Sequence, residues 1–260
     1  MFNPKLLEAI DKGDEKGVKS IIDQPFNVNA IEPEMHDSYL HHAAFYDKKG
    51  TITKMLIDKG ADPNIQNING VTPLIYAVIN GLIAVVKVLL DSKIIKLDMS
   101  DKLGHSALFY AVQYMRHDIM ALLLKKKASM DVKEAKTNNS LVHLAVINND
   151  MKALDILLKN NAKIDQANVL GDLPIHISAS KGDKAVDIVS KLAKKASATL
   201  AVQGNNKMTP LHLAVAAGSQ KLIKVMKYYN KAVLVIKDIL DRTAKDIAME
   251  LGLKDLEELL

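Results

Sequence analysis

Histidine is the residue of this chain best suited to chemistry, because its imidazole changes charge near neutral pH and binds transition metals. The chain has eight histidines and no cysteine. A cluster of His36, His41 and His42 is the first metal site that the sequence suggests. However, no two of its histidines lie at i, i+4 on a helix, and no carboxylate is spaced to close it. We therefore expect no metal, and predict that His36, His42, His105 and His117 lie on the surface or in loops.

Signatures of other catalytic chemistry are missing from the sequence. It contains no phosphate-binding loop, nucleophile elbow or kinase signature. Its glycines lie at predicted turns, and its carboxylates are scattered over predicted solvated faces without a pair placed for acid–base catalysis. We predict that the chain is not an enzyme and uses no cofactor and no small-molecule substrate.

Four of the histidines occupy the same place in a short block that recurs along the chain. The most regular copy is Thr-Pro-Leu-His at Thr209–His212, and the other copies begin at positions 38, 72, 106, 140, 173 and 243. Successive blocks are therefore 33 to 36 residues apart. A nearly fixed step of this size indicates a stack of small units, each contacting its neighbours. The four histidines are His41, His143, His176 and His212.

Each unit has the sequence features of two short helices and a turn-rich hairpin. Thr or Ser followed by Pro favours a helix start, since the hydroxyl caps free N–H groups and Pro suits the first turn. A small residue such as Ala77 follows, then a break such as Asn80-Gly81. Apolar residues at i, i+3 and i+4, as in Val85–Leu90, then predict a second helix with one buried stripe.

This pattern resembles the ankyrin repeat over essentially the whole chain. The resemblance implies an all-α ankyrin-repeat solenoid of about eight helix-turn-helix repeats with short hairpin loops, in a single domain over residues 1–260. We expect an N-terminal capping repeat at 1–34, six internal repeats at 35–238 and a C-terminal capping repeat at 239–260. The resemblance also implies that the four periodic histidines are structural, bonding to backbone in the hairpin region of their own and adjacent units.

The repeats differ in regularity. The 36-residue step predicts extra residues around 191–203, and residues 47–50 lengthen one turn between helices by a residue. One unit has Met115 where the break usually has Gly, and Lys125–Lys127 where Gly-Ala usually follows. We expect the units from the fourth to the sixth to be the least regular.

Composition limits where such a chain works. It has no run of about 18 apolar residues, so we predict no membrane span. Residues 1–20 are polar and charged, which predicts no signal peptide. The absence of cysteine excludes disulfides and thiol catalysis and is compatible with a reducing compartment. We expect a monomer in the cytoplasm.

Positive charge is concentrated in the second half of the chain. Residues 1–120 carry 13 Lys and Arg against 15 Asp and Glu, whereas residues 121–260 carry 22 against 15. Such a surface could meet nucleic acid or an anionic lipid surface. Base reading favours Arg and base stacking needs aromatic rings, and both are scarce here. We predict solvated helical faces, with polyanion binding as an alternative.

The ankyrin resemblance implies that a partner lies in the concave groove, against the ends of the first helices and the hairpin tips. Aromatic and apolar side chains are costly in an open groove unless they are used, and Tyr is a common interface anchor. The candidate residues are Phe45, Tyr46, Ile79, Asn80, Gln113, Tyr114, Ile147 and Asn148 at helix ends, and Ile68, Val71, Leu103 and His105 at tips.

The predicted function is therefore that of a protein–protein interaction module: a scaffold, adaptor or inhibitor. An alternative interpretation of the candidate residues is that they pack on neighbouring repeats. An alternative biological role is that of a bacterial effector, which is delivered into the cytoplasm of a host cell and captures a host protein there. Salt-sensitive binding to bare polyanion would separate the nucleic-acid or lipid alternative from a protein binder.

Overall fold

The computed structural model describes residues 2–260, which form helices joined by turns and hairpin loops. Within this range there is no strand, and extended pairing is limited to two isolated bridges, Ile31–Ser38 and Ser100–Ser106. The predicted all-α architecture of helix–turn–helix repeats with short hairpins is confirmed. None of the helices between residues 2 and 260 has the length and apolar character needed to cross a bilayer. The chain divides into two compact units, which meet in sequence between Glu134 and Ala135.

The first unit consists of helix pairs that stack in sequence order. The first helices of the pairs pack on one another, and so do the second helices. The helices are α1 (Pro4–Asp11), α2 (Glu15–Ile22), α3 (Tyr39–Tyr46), α4 (Thr51–Asp58), α5 (Pro73–Ile79), α6 (Ile83–Leu90), α7 (Ala107–Gln113) and α8 (His117–Lys125).

The second unit repeats this arrangement with additional 3-10 turns. Its first helices α9, α11, α13 and α15 pack in that order, and α12 packs on α14. The α-helices are α9 (Leu141–Ile147), α10 (Met151–Lys159), α11 (Pro174–Ala179), α12 (Val186–Lys195), α13 (Pro210–Ala216), α14 (Gln220–Tyr229), α15 (Ala244–Glu250) and α16 (Lys254–Glu257). The 3-10 helices are Gly182–Ala185, Ser197–Ala201, Asn205–Lys207 and Lys231–Val235.

Local sequence explains where the first helices begin and how closely they pack. The Thr72 hydroxyl accepts a hydrogen bond from the Ile75 N–H at 3.3 Å, and Pro73 occupies the first turn of α5. Ala77 on the same helix is fully buried. A methyl side chain at this place lets neighbouring helices approach closely. The predicted helix-start block is therefore a capping device for α5.

In the first unit, one turn between paired helices is longer than the other three, as the sequence predicts. Residues 47–50 separate α3 from α4, whereas residues 80–82 separate α5 from α6. Buried Asp47 stabilises the longer turn, because its carboxylate accepts hydrogen bonds from the Gly50 N–H at 2.9 Å and the Thr53 N–H at 2.8 Å. The lengthened turn is thus closed by its own aspartate.

The extra residues predicted around 191–203 form regular local structure. Helix α12 has ten residues, and the 3-10 helix Ser197–Ala201 follows it. Leu200 in this segment is fully buried. The insertion therefore adds apolar contacts to the second unit.

Candidate partner-binding surface

A row of side chains lies at the C-terminal ends of three consecutive first helices in the first unit. Because α3 packs on α5 and α5 packs on α7, equivalent positions on these helices are neighbours. Phe45, Tyr46 and Tyr114 are 52%, 44% and 46% exposed. We call the set the helix-end row, and its members are Phe45, Tyr46, Ile79, Asn80, Gln113 and Tyr114.

The aromatic rings of the helix-end row are held by neighbouring rings. The Phe45 and Tyr46 ring centroids are 4.8 Å apart, and Tyr114 stacks on Tyr110 at 6.0 Å. The Tyr110 hydroxyl in turn donates to the Asp101 carboxylate at 2.6 Å. Burial, and next this hydrogen bond, raise the pKa of Tyr110, so its hydroxyl stays a donor at neutral pH. Tyr114 therefore rests on a ring of fixed orientation.

The side chain of Arg116 binds the backbone of the helix-end row, and its sequence pattern did not indicate this role. Its guanidinium Nη2 donates to the Ile79 carbonyl at 2.9 Å, which satisfies a backbone acceptor at the C-terminal end of α5. A Cβ on Gly81 would lie 3.0 Å from the Arg116 guanidinium carbon. Glycine at the break therefore leaves room for this side chain, a relationship that only contacts between repeats reveal.

The second unit has no aromatic side chain at the equivalent positions. Ile147 is exposed at the end of α9, and half-buried Asn148 follows it. The Lys181 ammonium donates to the Ile147 carbonyl, much as Arg116 does in the first unit. Burial lowers the pKa of Lys181. At the end of α13 the exposed side chains are only the methyl groups of Ala216 and Ala217.

A second row is formed by the tips of the hairpins in the first unit. Met35, Ile68 and Leu103 are exposed there. The hairpins are joined through their backbones, because the Ile68 N–H donates to the Met35 carbonyl at 2.9 Å and the Lys102 N–H donates to the Asn69 carbonyl at 3.0 Å. We call Met35, Ile68 and Leu103 the tip row; Met35 was missed by the sequence analysis.

The periodic histidines join the repeats to one another. All four are fully buried. In each of them Nδ1 accepts a hydrogen bond from the backbone N–H three residues earlier, at 3.0 to 3.1 Å. On the other side of the ring, Nε2 donates to a carbonyl of the following hairpin region at 2.9 to 3.1 Å. This confirms the predicted structural role of His41, His143, His176 and His212.

Comparison with known proteins agrees with this geometry. The family model described as "Ankyrin repeats (3 copies)" matches residues 6–99, 40–135 and 142–238. The chain belongs to the ankyrin repeat family. The ankyrin repeat domain of Bcl-3, described as a unique member of the IkappaB protein family, has a similar solved fold. The likeness has a TM-score of 0.77 at 22% identity and covers 86% of this chain and 97% of that one.

Several curated relatives are much longer than this ankyrin chain. Human transient receptor potential cation channel subfamily A member 1 is 32% identical over 190 residues, which cover 71% of this chain and 14% of the channel. Human Rabankyrin-5 is 24% identical over 85% of this chain and 23% of its own length. Phosphocholine transferase AnkX of Legionella pneumophila is 25% identical over 76% of this chain and 21% of its own length. The chain spans less than a quarter of each.

Two residues that were expected to be exposed at hairpin tips are instead covered within their hairpins. Val71 is only 9% exposed: its N–H donates to the Asn67 side chain at 3.0 Å, and its carbonyl accepts from His41. His105 is half-buried and stacks on Phe109, with ring centroids 3.8 Å apart and planes 2° from parallel. The prediction that these two side chains are exposed at the tips is wrong, because both belong to the hairpin framework.

The non-periodic histidines meet the expectation of a surface or loop position only in part. His36 is exposed in the first hairpin, as predicted. His42 is half-buried on α3, and its ring lies close to the carboxylates of Glu32 and Asp37. In the sequence, no carboxylate is spaced along a helix to close a metal site with His42. The ankyrin hairpin brings two of them to His42 from five and ten residues away in sequence.

Proposed function

We propose that this ankyrin chain binds another protein through the helix-end row and the tip row of its first unit. The ankyrin fold is an interaction module, which supports a binding role in general. The observation that carries the specific proposal is the exposure of Tyr46 and Tyr114 at equivalent ends of stacked helices. Ile79 lies between them along the stack.

The aromatic side chains of the helix-end row favour binding because they are exposed in the free protein. Covering exposed aromatic rings with a partner lowers the free energy, and Tyr contributes strongly at interfaces. Tyr114 already stacks on Tyr110, whose hydroxyl is bound to Asp101, so little side-chain entropy of Tyr114 is lost on binding. A strip three repeats long suits a helix or an extended peptide of the partner.

The test compares wild-type protein with a Tyr46→Ala, Tyr114→Ala double variant as baits in affinity capture. A protein retained by wild type and lost by the double variant is then purified and titrated by calorimetry. We expect each single Tyr→Ala substitution to weaken binding by about 1–3 kcal/mol. Thermal melting of each variant should change much less, because both rings are half exposed.

The matched control is Ala216→Ser, at the equivalent helix end in the second unit, where the exposed side chain is a methyl group. It should leave binding unchanged. If wild type and both single Tyr variants bind the captured protein equally well, the helix-end row is not the interface. The search then moves to the tip row and to three lysine-rich stretches of the chain, Lys125–Lys127, Lys184–Lys195 and Lys221–Lys237.

Polyanion binding through those stretches has less support than protein binding. Several of their lysines pair with an aspartate, which reduces the positive charge offered to a ligand. The pairs are Lys126–Asp91, Lys191–Asp155, Lys221–Asp183 and Lys237–Asp241. The pairing favours the interpretation that these stretches are solvated helical faces.

Other aspects of the role stay predictions. The likeness to AnkX covers 21% of that protein, so the proposal includes no transferase activity. A bacterial effector acting in a host cytoplasm is an alternative setting for the same binding surface. The eight-repeat domain with caps at 1–34 and 239–260, its monomeric state, its cytoplasmic location and the lack of an enzymatic activity likewise stay predictions.

A further inference from the structure

A set of metal-binding side chains lies at the first hairpin of the first unit. One ligand atom from each of Glu32, Asp37 and His42 lies within 4.8 Å of the others. Glu32 and Asp37 stand on the two sides of the hairpin, where the Glu32 N–H donates to the Asp37 carbonyl at 2.9 Å. His42 is on α3, so the set joins the hairpin to a helix. All three side chains are half-buried.

The hydrogen bonding of His42 leaves the lone pair of one ring nitrogen free to bind a metal. Its Nδ1 lies 3.2 Å from the Asp11 carboxylate, which can only accept, so Nδ1 carries the hydrogen. The lone pair of the neutral ring is then on Nε2. This atom is shielded from solvent and has no hydrogen-bond partner among residues 2–260. A carboxylate that orients a histidine from behind in this way is typical of metal-binding histidines.

The two carboxylates are fixed by hydrogen bonds of their own. Glu32 accepts from the Met35 N–H at 3.0 Å, and Asp37 accepts from the Asn67 side chain at 2.8 Å. A carboxylate has about four lone-pair sites, so one such bond leaves room for a metal. Two carboxylates and an unpaired imidazole nitrogen repel one another unless a proton or a cation lies among them.

We propose that Glu32, Asp37 and His42 bind a zinc ion. Zinc accepts a mixed set of imidazole and carboxylate ligands, with water completing three protein ligands, whereas magnesium and calcium prefer oxygen alone. Two atoms bound to one zinc at about 2.1 Å are at most about 4.2 Å apart, so small side-chain rotations close the set. The bound ion holds the first hairpin against α3 and stabilises the first unit.

The experiment titrates the metal-free full chain with Zn²⁺ by calorimetry in a non-chelating buffer, and follows thermal melting with and without the metal. We expect one zinc per chain and a higher melting temperature with zinc. His42→Ala and Asp37→Asn should each weaken zinc binding at least about tenfold, since each removes or neutralises a ligand. Excess Mg²⁺ should not displace the zinc. His36→Ala, which removes an exposed histidine from the same hairpin, should bind as wild type does.

Three outcomes would overturn the assignment: equal zinc affinity of wild type and His42→Ala, loss of binding in His36→Ala, or displacement of zinc by the same excess of Mg²⁺. Circular dichroism shows whether each variant is folded. If His42→Ala does not fold, the isosteric variants Asp37→Asn and Glu32→Gln decide the question. Unchanged affinity in both would overturn the proposal.

Discussion

The Nε2–H of His41 donates to the backbone carbonyl of Val71 at 2.9 Å and so joins one repeat to the hairpin of the next. Through Nδ1 the same ring accepts from the Ser38 N–H at 3.0 Å, where α3 begins. One buried side chain therefore fixes a helix start and the stacking of the following hairpin. The same link recurs in the pairs His143–Asp172, His176–Val202 and His212–Arg242.

Removing one of these links should lower stability without any other lesion. His212→Ala leaves the Arg242 carbonyl and the Thr209 N–H without their partner. We expect the free energy of unfolding to fall by roughly 1–2 kcal/mol, the usual loss for an unmade buried hydrogen bond. Urea denaturation measures it, with exposed His36→Ala as the control. Equal stability of His212→Ala and wild type would contradict the structural role.

The same histidines should make stability depend on pH. Burial lowers the pKa of His41, His176 and His212 below the usual 6.5, with backbone hydrogen bonds opposing it in part. The unfolded chain therefore binds more protons than the folded chain below pH 6.5. The stabilisation is complete above pH 6.5 and is lost as pH falls from there toward the folded pKa values.

We expect each of these histidines to contribute a loss of up to about 1.4 kcal/mol per pH unit within this range. Urea denaturation at pH 7.5, 6.5 and 5.5 tests it. The Asp238 carboxylate does not add to this range. Burial raises its pKa, but hydrogen bonds from Arg242 and Leu240, together with the charge of Arg242, outweigh burial and hold the pKa below its usual value. Stability that is constant or rises toward pH 5.5 would contradict the prediction.

Met115 should be a site of stored backbone strain. Its φ of 53° is in the left-handed region, at the break where the preceding repeat has Gly81 with φ of 70°. Met115→Gly removes a left-handed strain of about 1–2 kcal/mol from the folded state. It also destabilises the fold by about 0.5–1 kcal/mol, because glycine gives the unfolded chain more conformational entropy. We expect a net gain in unfolding free energy of about 0.5–1 kcal/mol by urea denaturation.

Asn149→Gly is the matched control for Met115→Gly. Asn149 occupies the equivalent break in the second unit with φ of 52°, and Asn tolerates this conformation better than Met. Its gain should be smaller. A loss of stability in Met115→Gly, or a larger gain in Asn149→Gly, would show that the left-handed backbone at Met115 carries no excess strain.

Alanine substitutions at two hairpin glycines distinguish the cost of a left-handed backbone from the cost of disturbing the contact between repeats. Gly70 and Gly104 have similar φ of 75° and 80°, but a Cβ on Gly70 would lie 2.9 Å from the Lys102 backbone nitrogen, whereas a Cβ on Gly104 has no neighbour within 4 Å. Gly104→Ala should cost only the left-handed penalty of about 1–2 kcal/mol. Gly70→Ala should cost clearly more, because neighbouring hairpins must move apart. Equal losses in thermal or urea unfolding would show that the hairpins are not closely joined there.

The sequence by itself determined the repeat and what it contains. The step of 33 to 36 residues, the helix-start block and the break predicted the helix pairs and the longer turn at 47–50. The ankyrin resemblance of the same blocks implied the structural role of the periodic histidines. These features were readable because each repeat contacts mainly its neighbours, so the same local problem is solved again at each step. The exposed members Tyr46 and Tyr114 followed from their place at the end of a predicted helix.

Only the tertiary structure decided which hairpin side chains are exposed and which groups meet. Ile68 and Val71 stand three residues apart in one hairpin, yet Ile68 faces solvent and Val71 is buried by its bonds to Asn67 and His41. Likewise Asp37 and His42 come together across a loop that has no periodic pattern. Loop side chains take their direction from turn geometry and from the adjacent repeat, and neither is expressed in the spacing of apolar residues.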